Sequence, residues 1–338
     1  SPSSPASSLA SIPTDDPPAA AIPSNKPSLP PASPSETTTR AKATSKRSGL
    51  NGELVCGCGG SCFSTAGDGI PDTWKTIGVD PECDGIVNLD LAAMGADPGH
   101  RDVFVQVDHL APRRNKSAVF IFPQGAIGLL VTAFENAPVA NPDGTTGIHL
   151  HILSGNVIPY SAVVTLYEEQ LIPECAGPDA QSLPAIKAKS MDPARALIAH
   201  YALIADLNSC DSPSHCAACP GPDTVVYGSA GVSVMHGKDF IVSLGTLWKL
   251  GLYTKNPTND RAYNRNLAGT FMHELGHNFG LRHGGGDDDV PNYKPNYLSV
   301  MNYRYQFNGI LRTSGESLID YSRQALNTLD ESQLDERV

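Results

Sequence analysis

The sequence predicts a mixed α/β, or α+β, fold. Two observations carry this. Short alternating or β-branched stretches that read as strands are interleaved with longer stretches of helical spacing, and such a mixture packs helices on a sheet. The composition is also that of a chain with a core to bury: 338 residues, 40% hydrophobic and only 17% charged, below the roughly one-quarter charge typical of globular domains. No window approaches 18 consecutive apolar residues, so no transmembrane helix is expected.

The elements follow in order. Residues 1–50 hold 10 Pro, 12 Ser, 8 Ala and 5 Thr, 35 of 50 positions, with no aromatic residue. Such a segment cannot bury enough surface to offset its ordering entropy, so it reads as a disordered tail or pro-segment. Lys46-Arg47 at its end reads either as a processing site or as part of a solvated linker. Residues 51–98 form a segment rich in Cys, Asp and Gly. Val103–Asp108 alternates and reads as a strand. In Pro123–Ala137, Ile127, Leu130, Val131 and Phe134 share one helical stripe, with Pro123 near the first turn. Asn141-Pro142-Asp143-Gly144 is a turn signal. Ile148–Leu153 and Val163–Leu166 read as strands, Ala194–Leu207 as a helix, and Asp239–Leu244 as a further strand. Asn266–Phe279 is a strong helix.

Charge and cysteine usage bound the class. The formal net charge is −11 with a pI near 5.3. The tail carries five Lys/Arg and three Asp/Glu, so residues 51–338 stand at −13. A nucleic-acid binder needs a basic face, and that class is set aside. Eight cysteines in a Gly/Pro-rich chain suggest an oxidising compartment and disulfides. Ser1 is not a start methionine, so the expectation is a secreted protein numbered after a removed signal peptide.

The chemistry concentrates in His273-Glu274-Leu275-Gly276-His277-Asn278-Phe279-Gly280-Leu281-Arg282-His283. On a helix, His273 and His277 project from one face toward one metal ion. Glu274 lies beside them, where it can hydrogen-bond a water and take its proton. Gly280 lets the chain leave the helix abruptly, and that turn can swing His283 back as a third ligand. Three nitrogen ligands plus a water make the open, catalytic form of a zinc site.

This long motif resembles that of the metzincin clan of zinc endopeptidases. Ser299-Val300-Met301-Asn302-Tyr303 resembles the clan's Met-turn, with Met301 18 residues after His283 (301 − 283). The resemblance implies Met301 as an apolar floor beneath the three histidines. Tyr303 matches a tyrosine of the astacin-like and serralysin-like branches, where it ligates zinc in the resting enzyme and stabilises the oxyanion. Gly284-Gly285-Gly286 matches none of the best-known branches. The implied fold is a two-subdomain catalytic domain: a twisted mixed sheet with helices over 99–280, and a small lower subdomain over 281–338. The implied edge strand is Asp239–Leu244, pairing with extended substrate, and the implied closing helix is Ser317–Leu334. The implied activity is hydrolysis of proteins or peptides by a monomer that binds neither nucleic acid nor membrane.

Weaker constellations accompany the motif. Asp80, Glu82, Asp84 and Asn88 place oxygen side chains around Gly85, like a calcium loop of the EF-hand kind, although an Asx-rich turn is the preferred reading. Asp287-Asp288-Asp289 reads as a calcium or basic-substrate cluster, or as a solvated loop. Cys210, Cys216 and Cys219 around His215 suit disulfides better than zinc, and Cys56, Cys58 and Cys62 read as structural rather than as a latency switch. His149 and His151 share a strand face at metal spacing, but a core or surface role is preferred once a complete histidine set exists. Asn115-Lys116-Ser117 is a glycosylation acceptor by pattern. Two functions from different classes emerge: a secreted zinc endopeptidase, or a non-catalytic calcium- or matrix-binding protein retaining the shell. Retention of Glu274 favours the first.

Overall fold

The computed structural model describes residues 55–56, 60–112, 120–161, 163–168, 181–208, 229–243, 245, 260–285, 292–324 and 326. Outside them lie the tail with Lys46-Arg47, the acceptor Asn115, the Cys210–Cys219 loop and Asp287–Asp289.

The frame is a five-stranded sheet. Its strands are β3 (Asp102–Leu110), β4 (His149–Ile158), β7 (His200–Ala205), β9 (Gly231–Ser233) and β10 (Asp239–Ser243), in the spatial order β4-β3-β7-β10-β9. The first four run parallel and β9 closes the edge antiparallel. A crossover between parallel strands needs a dozen or more residues, normally a helix. α2 (Gln124–Glu135) supplies it between β3 and β4, and α3 (Leu183–Ser190) with α4 (Pro193–Ile198) between β4 and β7. The remaining elements are short. They comprise the hairpin β1 (Val55–Cys56) with β2 (Gly60–Ser61), the helix α1 (Asp72–Thr76), and a three-stranded sheet of β5 (Val163–Thr165), β6 (Gln181–Ser182) and β8 (Leu207–Asn208). A second hairpin pairs β11 (Ile310–Leu311) with β12 (Ser317–Leu318).

Several helices have a side-chain cap at their start, whereas α1 and α2 begin after Pro71 and Pro123 without one. Ser182 caps α3 and Asp192 caps α4, both with Pro in the first turn, and Asp260 caps α5 (Arg261–Asn278) by accepting from Ala262 and Tyr263. α2 and α5 lie against each other and against the sheet. Their core includes Leu130, Phe134, Leu203, Phe240, Leu267, Phe271 and Leu275. Phe271 is fully buried, with its ring 4.9 Å from Phe122 and 5.0 Å from Phe240. A second core cluster joins the N-terminal segment, through Ile70, Val79, Leu89 and Leu91, to Phe104, Leu153 and Ile198. The sheet is therefore covered on both faces, as parallel sheets require.

The expected mixed α/β fold is observed, and most elements sit where the sequence puts them. Three differ. The helix expected over Ala194–Leu207 stops at Ile198, and His200–Ala205 is the buried strand β7, paired on both sides. Its near-continuous apolar run fits a buried strand and a buried helix equally, and tertiary pairing decides. Asp239–Ser243 is not the sheet edge, because it pairs with both β7 and β9, and the edge falls to Gly231–Ser233. Three residues beginning with glycine are too few to show an alternation. Ser317–Leu318 belongs to a hairpin and 319–324 has no regular structure, so the expected closing helix does not begin at Ser317, and its later residues 327–334 lie outside the described residues.

Phe271→Ala removes the ring that links helix, sheet and the segment before α2. It should destabilise the fold by about 3–5 kcal/mol, read from the midpoint shift in urea unfolding, with an unchanged slope.

Candidate functional site

α5 carries the motif into the core. Thr270, His273, Glu274 and Asn278 are buried in the same helix as Leu267, Phe271 and Leu275. The helix ends on Gly280, at φ +87°, a conformation favouring glycine. There the N–H of Gly280 donates to the His277 carbonyl and that of Leu281 to the Gly276 carbonyl, at 2.9 Å each. This pair of bonds is the Schellman end of a helix, and it turns the chain so that His283 comes back over the last turn.

The three side chains converge. Nε2 of His273 lies 3.2 Å from Nε2 of His277 and 3.2 Å from that of His283, and the last two are 3.1 Å apart. Three nitrogens this close are the corners of a triangle that a tetrahedral ion at about 2.0 Å from each would fill. The hydrogen-bonding partners explain the tautomers. His273 Nδ1 donates to the Val300 carbonyl and His277 Nδ1 to the Leu281 carbonyl, both at 2.8 Å. A neutral imidazole that donates from Nδ1 presents a lone pair at Nε2, so the shared space receives electron pairs and calls for a cation. Burial pushes the pKa of His273 down to about 3 and that of His283 to about 4, and lowers that of His277. Neutral imidazole is the form that binds metal. The donor set therefore fits zinc.

Around the triangle stand the other expected residues. Glu274 is buried against Gly231 of the edge strand, and burial raises its carboxyl well above the ordinary range. Met301 is fully buried, and its sulfur packs so closely on Gly276 that a Cβ there would overlap it. That packing depends on a glycine inside the helix, one residue before His277. Ser299 and Asn302 hold the Met-turn: Ser299 Oγ accepts from the Met301 N–H, and Asn302 Nδ2 donates to the Lys294 and Tyr297 carbonyls. Asn302 also caps α6 (Tyr303–Gln306). That places the Tyr303 ring 4.4 Å from His283 and 5.5 Å from His273, centroid to centroid. Burial, aided by Glu274 and Tyr293, raises the Tyr303 hydroxyl above its usual value.

The structure adds residues that the motif does not announce. Asn278 Nδ2 donates to Ser233 Oγ at 2.7 Å and to the Val234 carbonyl at 2.8 Å, while its Oδ1 lies 2.9 Å from His200 Nδ1. Ser233 Oγ in turn donates to the Glu274 carbonyl. These bonds fix the edge strand to the helix that bears Glu274. A buried Asn within a helix, where its propensity is poor, is the signal that could have found it. Tyr293, at φ +66°, stands edge-on to Tyr303.

The candidate calcium residues have a different arrangement. Asp80 accepts from the N–H groups of Cys83, Asp84 and Gly85, and Asp84 from that of Ile86. Asp80, Glu82 and Asp84 are not among the groups whose ligand atoms all lie within 4.8 Å of one another.

Residues 221–284, which contain the edge strand, α5 and all three histidines, match the model of the Metallo-peptidase family M12B, Reprolysin-like. No curated protein matches the chain. The family match and the histidine triangle bear out the metzincin resemblance at the level of the clan.

The lowered histidine pKa values set a pH dependence for zinc-free protein. A histidine whose folded pKa lies below its unfolded value of about 6.5 stabilises the fold above that value and loses the contribution as pH falls. Metal-free protein should therefore lose thermal stability as pH falls from about 6.5 toward pH 4, and zinc, which binds the same neutral imidazoles, should raise the melting temperature near neutrality. An unchanged melting temperature on adding zinc at pH 7 would contradict the triangle as its site.

Proposed function

We propose that the chain is a zinc-dependent endopeptidase in which Glu274 is the general base. The observation that carries this reading is the triangle of Nε2 atoms with a buried carboxyl one residue from its first member. The family match over the same segment supports it. Zinc held by His273, His277 and His283 would supply Lewis acidity toward a water and toward the scissile carbonyl.

The chain's own residues do the rest. Glu274, buried and raised in pKa, takes the proton of the attacking water and returns it to the leaving amide nitrogen. Tyr303, against His283, offers its hydroxyl to the oxyanion. Among the described residues Gly231–Ser233 has β10 on one side only, so its other side offers backbone groups to an extended peptide. Asn278 and Ser233 hold that strand in register with Glu274.

Protein and peptide substrates follow from the family. Secretion is supported by the cysteines, of which Cys62 and Cys83 are each disulfide-bonded. Among the described residues no helix is long and apolar enough to cross a membrane. Calcium at Asp80, Glu82, Asp84 and Asn88 has weaker support, since Asp80 already caps three backbone N–H groups.

Casein cleavage should be abolished by o-phenanthroline and restored by Zn²⁺. Glu274→Gln should retain zinc and lose cleavage by at least two orders of magnitude. Absence of chelator-sensitive cleavage in zinc-loaded protein would instead favour a binding protein with a metzincin shell. Tyr303→Phe should lower kcat by roughly 10- to 1,000-fold with little change in KM, measured on a fluorogenic peptide.

A further inference from the structure

A second convergence of ligand atoms lies where the N-terminal segment meets the sheet. Asp102 opens β3 and His149 opens β4, and the two are register partners, as are Phe104 and His151 two residues on. Partners in register share a face, so Asp102, Phe104, His149 and His151 stand together. Phe104 belongs to the core cluster that joins the sheet to residues 70–96. Asp102 Oδ1 lies 2.6 Å from His151 Nε2 and 3.5 Å from His149 Nδ1. Among the described residues, this trio and the motif's own triangle are the two groups of histidine, cysteine or carboxylate residues that could hold a metal ion.

The charge balance at this place is incomplete. Lys75 Nζ reaches Asp68 at 2.5 Å and Asp102 at 2.7 Å, with the Lys75 and Asp102 side chains fully buried and that of Asp68 nearly so. One ammonium faces two carboxylates; Ser64 Oγ and the Ile70 and Asp102 N–H groups also donate to Asp68, and the Asp97 N–H to Asp102, but these donors are neutral and leave one formal negative charge in excess. Burial works to raise the Asp102 pKa, but hydrogen bonds from His151 and Lys75 hold it below the usual range. Asp102 is thus ionised, with Oδ2 toward Lys75 and Oδ1 toward the histidines.

A hydrogen bond to Asp102 accounts for His151. It does not account for His149, whose Nδ1 is buried yet has no hydrogen-bond partner among the described residues. That ring is fixed by stacking on His100 at 3.8 Å, and the His151 ring by stacking on Phe104 at 4.2 Å. The His149 side chain is 42% exposed, so the ring reaches the surface while its Nδ1 is turned inward toward Asp102. Two oriented imidazole nitrogens and one carboxylate oxygen, with a position left for water, suit a borderline cation of the zinc class; calcium and magnesium prefer oxygen.

We infer that Asp102, His149 and His151 form a second, structural site for a zinc-class divalent cation. On binding, the ion displaces the His151 Nε2 proton to solvent and takes up the lone pair of His149 Nδ1. It ties β3 to β4 directly, and through Asp102, Lys75 and Asp68 it fastens the N-terminal segment to the sheet.

Cobalt is the probe, added to the metal-free full-length chain and followed by visible absorption and elemental analysis. Wild type should take up two Co²⁺ per chain and His273→Ala/His277→Ala one. Adding His149→Ala to that variant should abolish uptake. His149→Ala alone should keep peptide cleavage and lose one Co²⁺, together with part of the rise in melting temperature that metal confers. A folded His273→Ala/His277→Ala protein that binds no Co²⁺ overturns the inference. So does one whose bound Co²⁺ survives His149→Ala, because the ion then sits elsewhere. Should circular dichroism show that the double variant does not fold, wild type against His149→Ala decides: two against one supports the site, and one in both overturns it.

Discussion

The site depends on which nitrogen of each imidazole carries the proton. His273 and His277 donate from Nδ1 to the carbonyls of Val300 and Leu281, and each bond both orients a ring and leaves a lone pair on Nε2. The two carbonyls come from different places. Leu281 follows the helix end directly, so the same reversal that returns His283 also supplies the acceptor that fixes His277. Val300 lies in the Met-turn, held by the bond from its N–H to the Asp320 carbonyl and by the burial of Met301 beside it. The local stop signal of the helix thus orients one ligand, and a distant turn orients the other.

That division of labour explains how tightly α5 is held. A helix with His273, Glu274 and Asn278 in its buried face gains less from burial than an apolar one, and each buried polar group must be matched. The matching partners do the positioning. Ser233 holds the carbonyl of Glu274, Asn278 holds the turn after β9, and the Tyr321 hydroxyl donates to the Met272 carbonyl at 2.6 Å. Contacts that satisfy the buried helix therefore also set the distances between Glu274, the histidines and the edge strand.

Legibility in the sequence followed the range of the interactions. The helix ending at Asn278, its stop at Gly280 and the return of His283 are set within about ten residues, and spacing alone exposes them. β3 and α2 were legible for the same reason, through alternation and a 3.6-residue stripe. What stayed hidden is decided across the sheet. His200–Ala205 is a strand because β3 and β10 flank it, and no property of its own apolar run says so. Gly231–Ser233 is the edge because, among the described residues, it has no second neighbour, which is a fact about topology rather than about three residues. Asn278 lay within the motif, but its role emerges only when the β9 turn is folded against it.

The two faces of the sheet show why the histidines fell into separate groups. His273, His277 and His283 are brought together by one helix and its end, so a sequence interval contains them. Asp102 and His149 are 47 positions apart and meet only because β3 and β4 pair in parallel at their first residues. A one-residue slip in that register would send His149 to the opposite face. The bulge near Val107 and His109 lies beyond both residues, so the register at the strand starts is undisturbed. Parallel pairing with a helical crossover can therefore assemble a ligand set that leaves no motif. Such sets are found from buried charge balance and orphaned nitrogens, here the two carboxylates on the one ammonium of Lys75 and the unpartnered Nδ1 of His149.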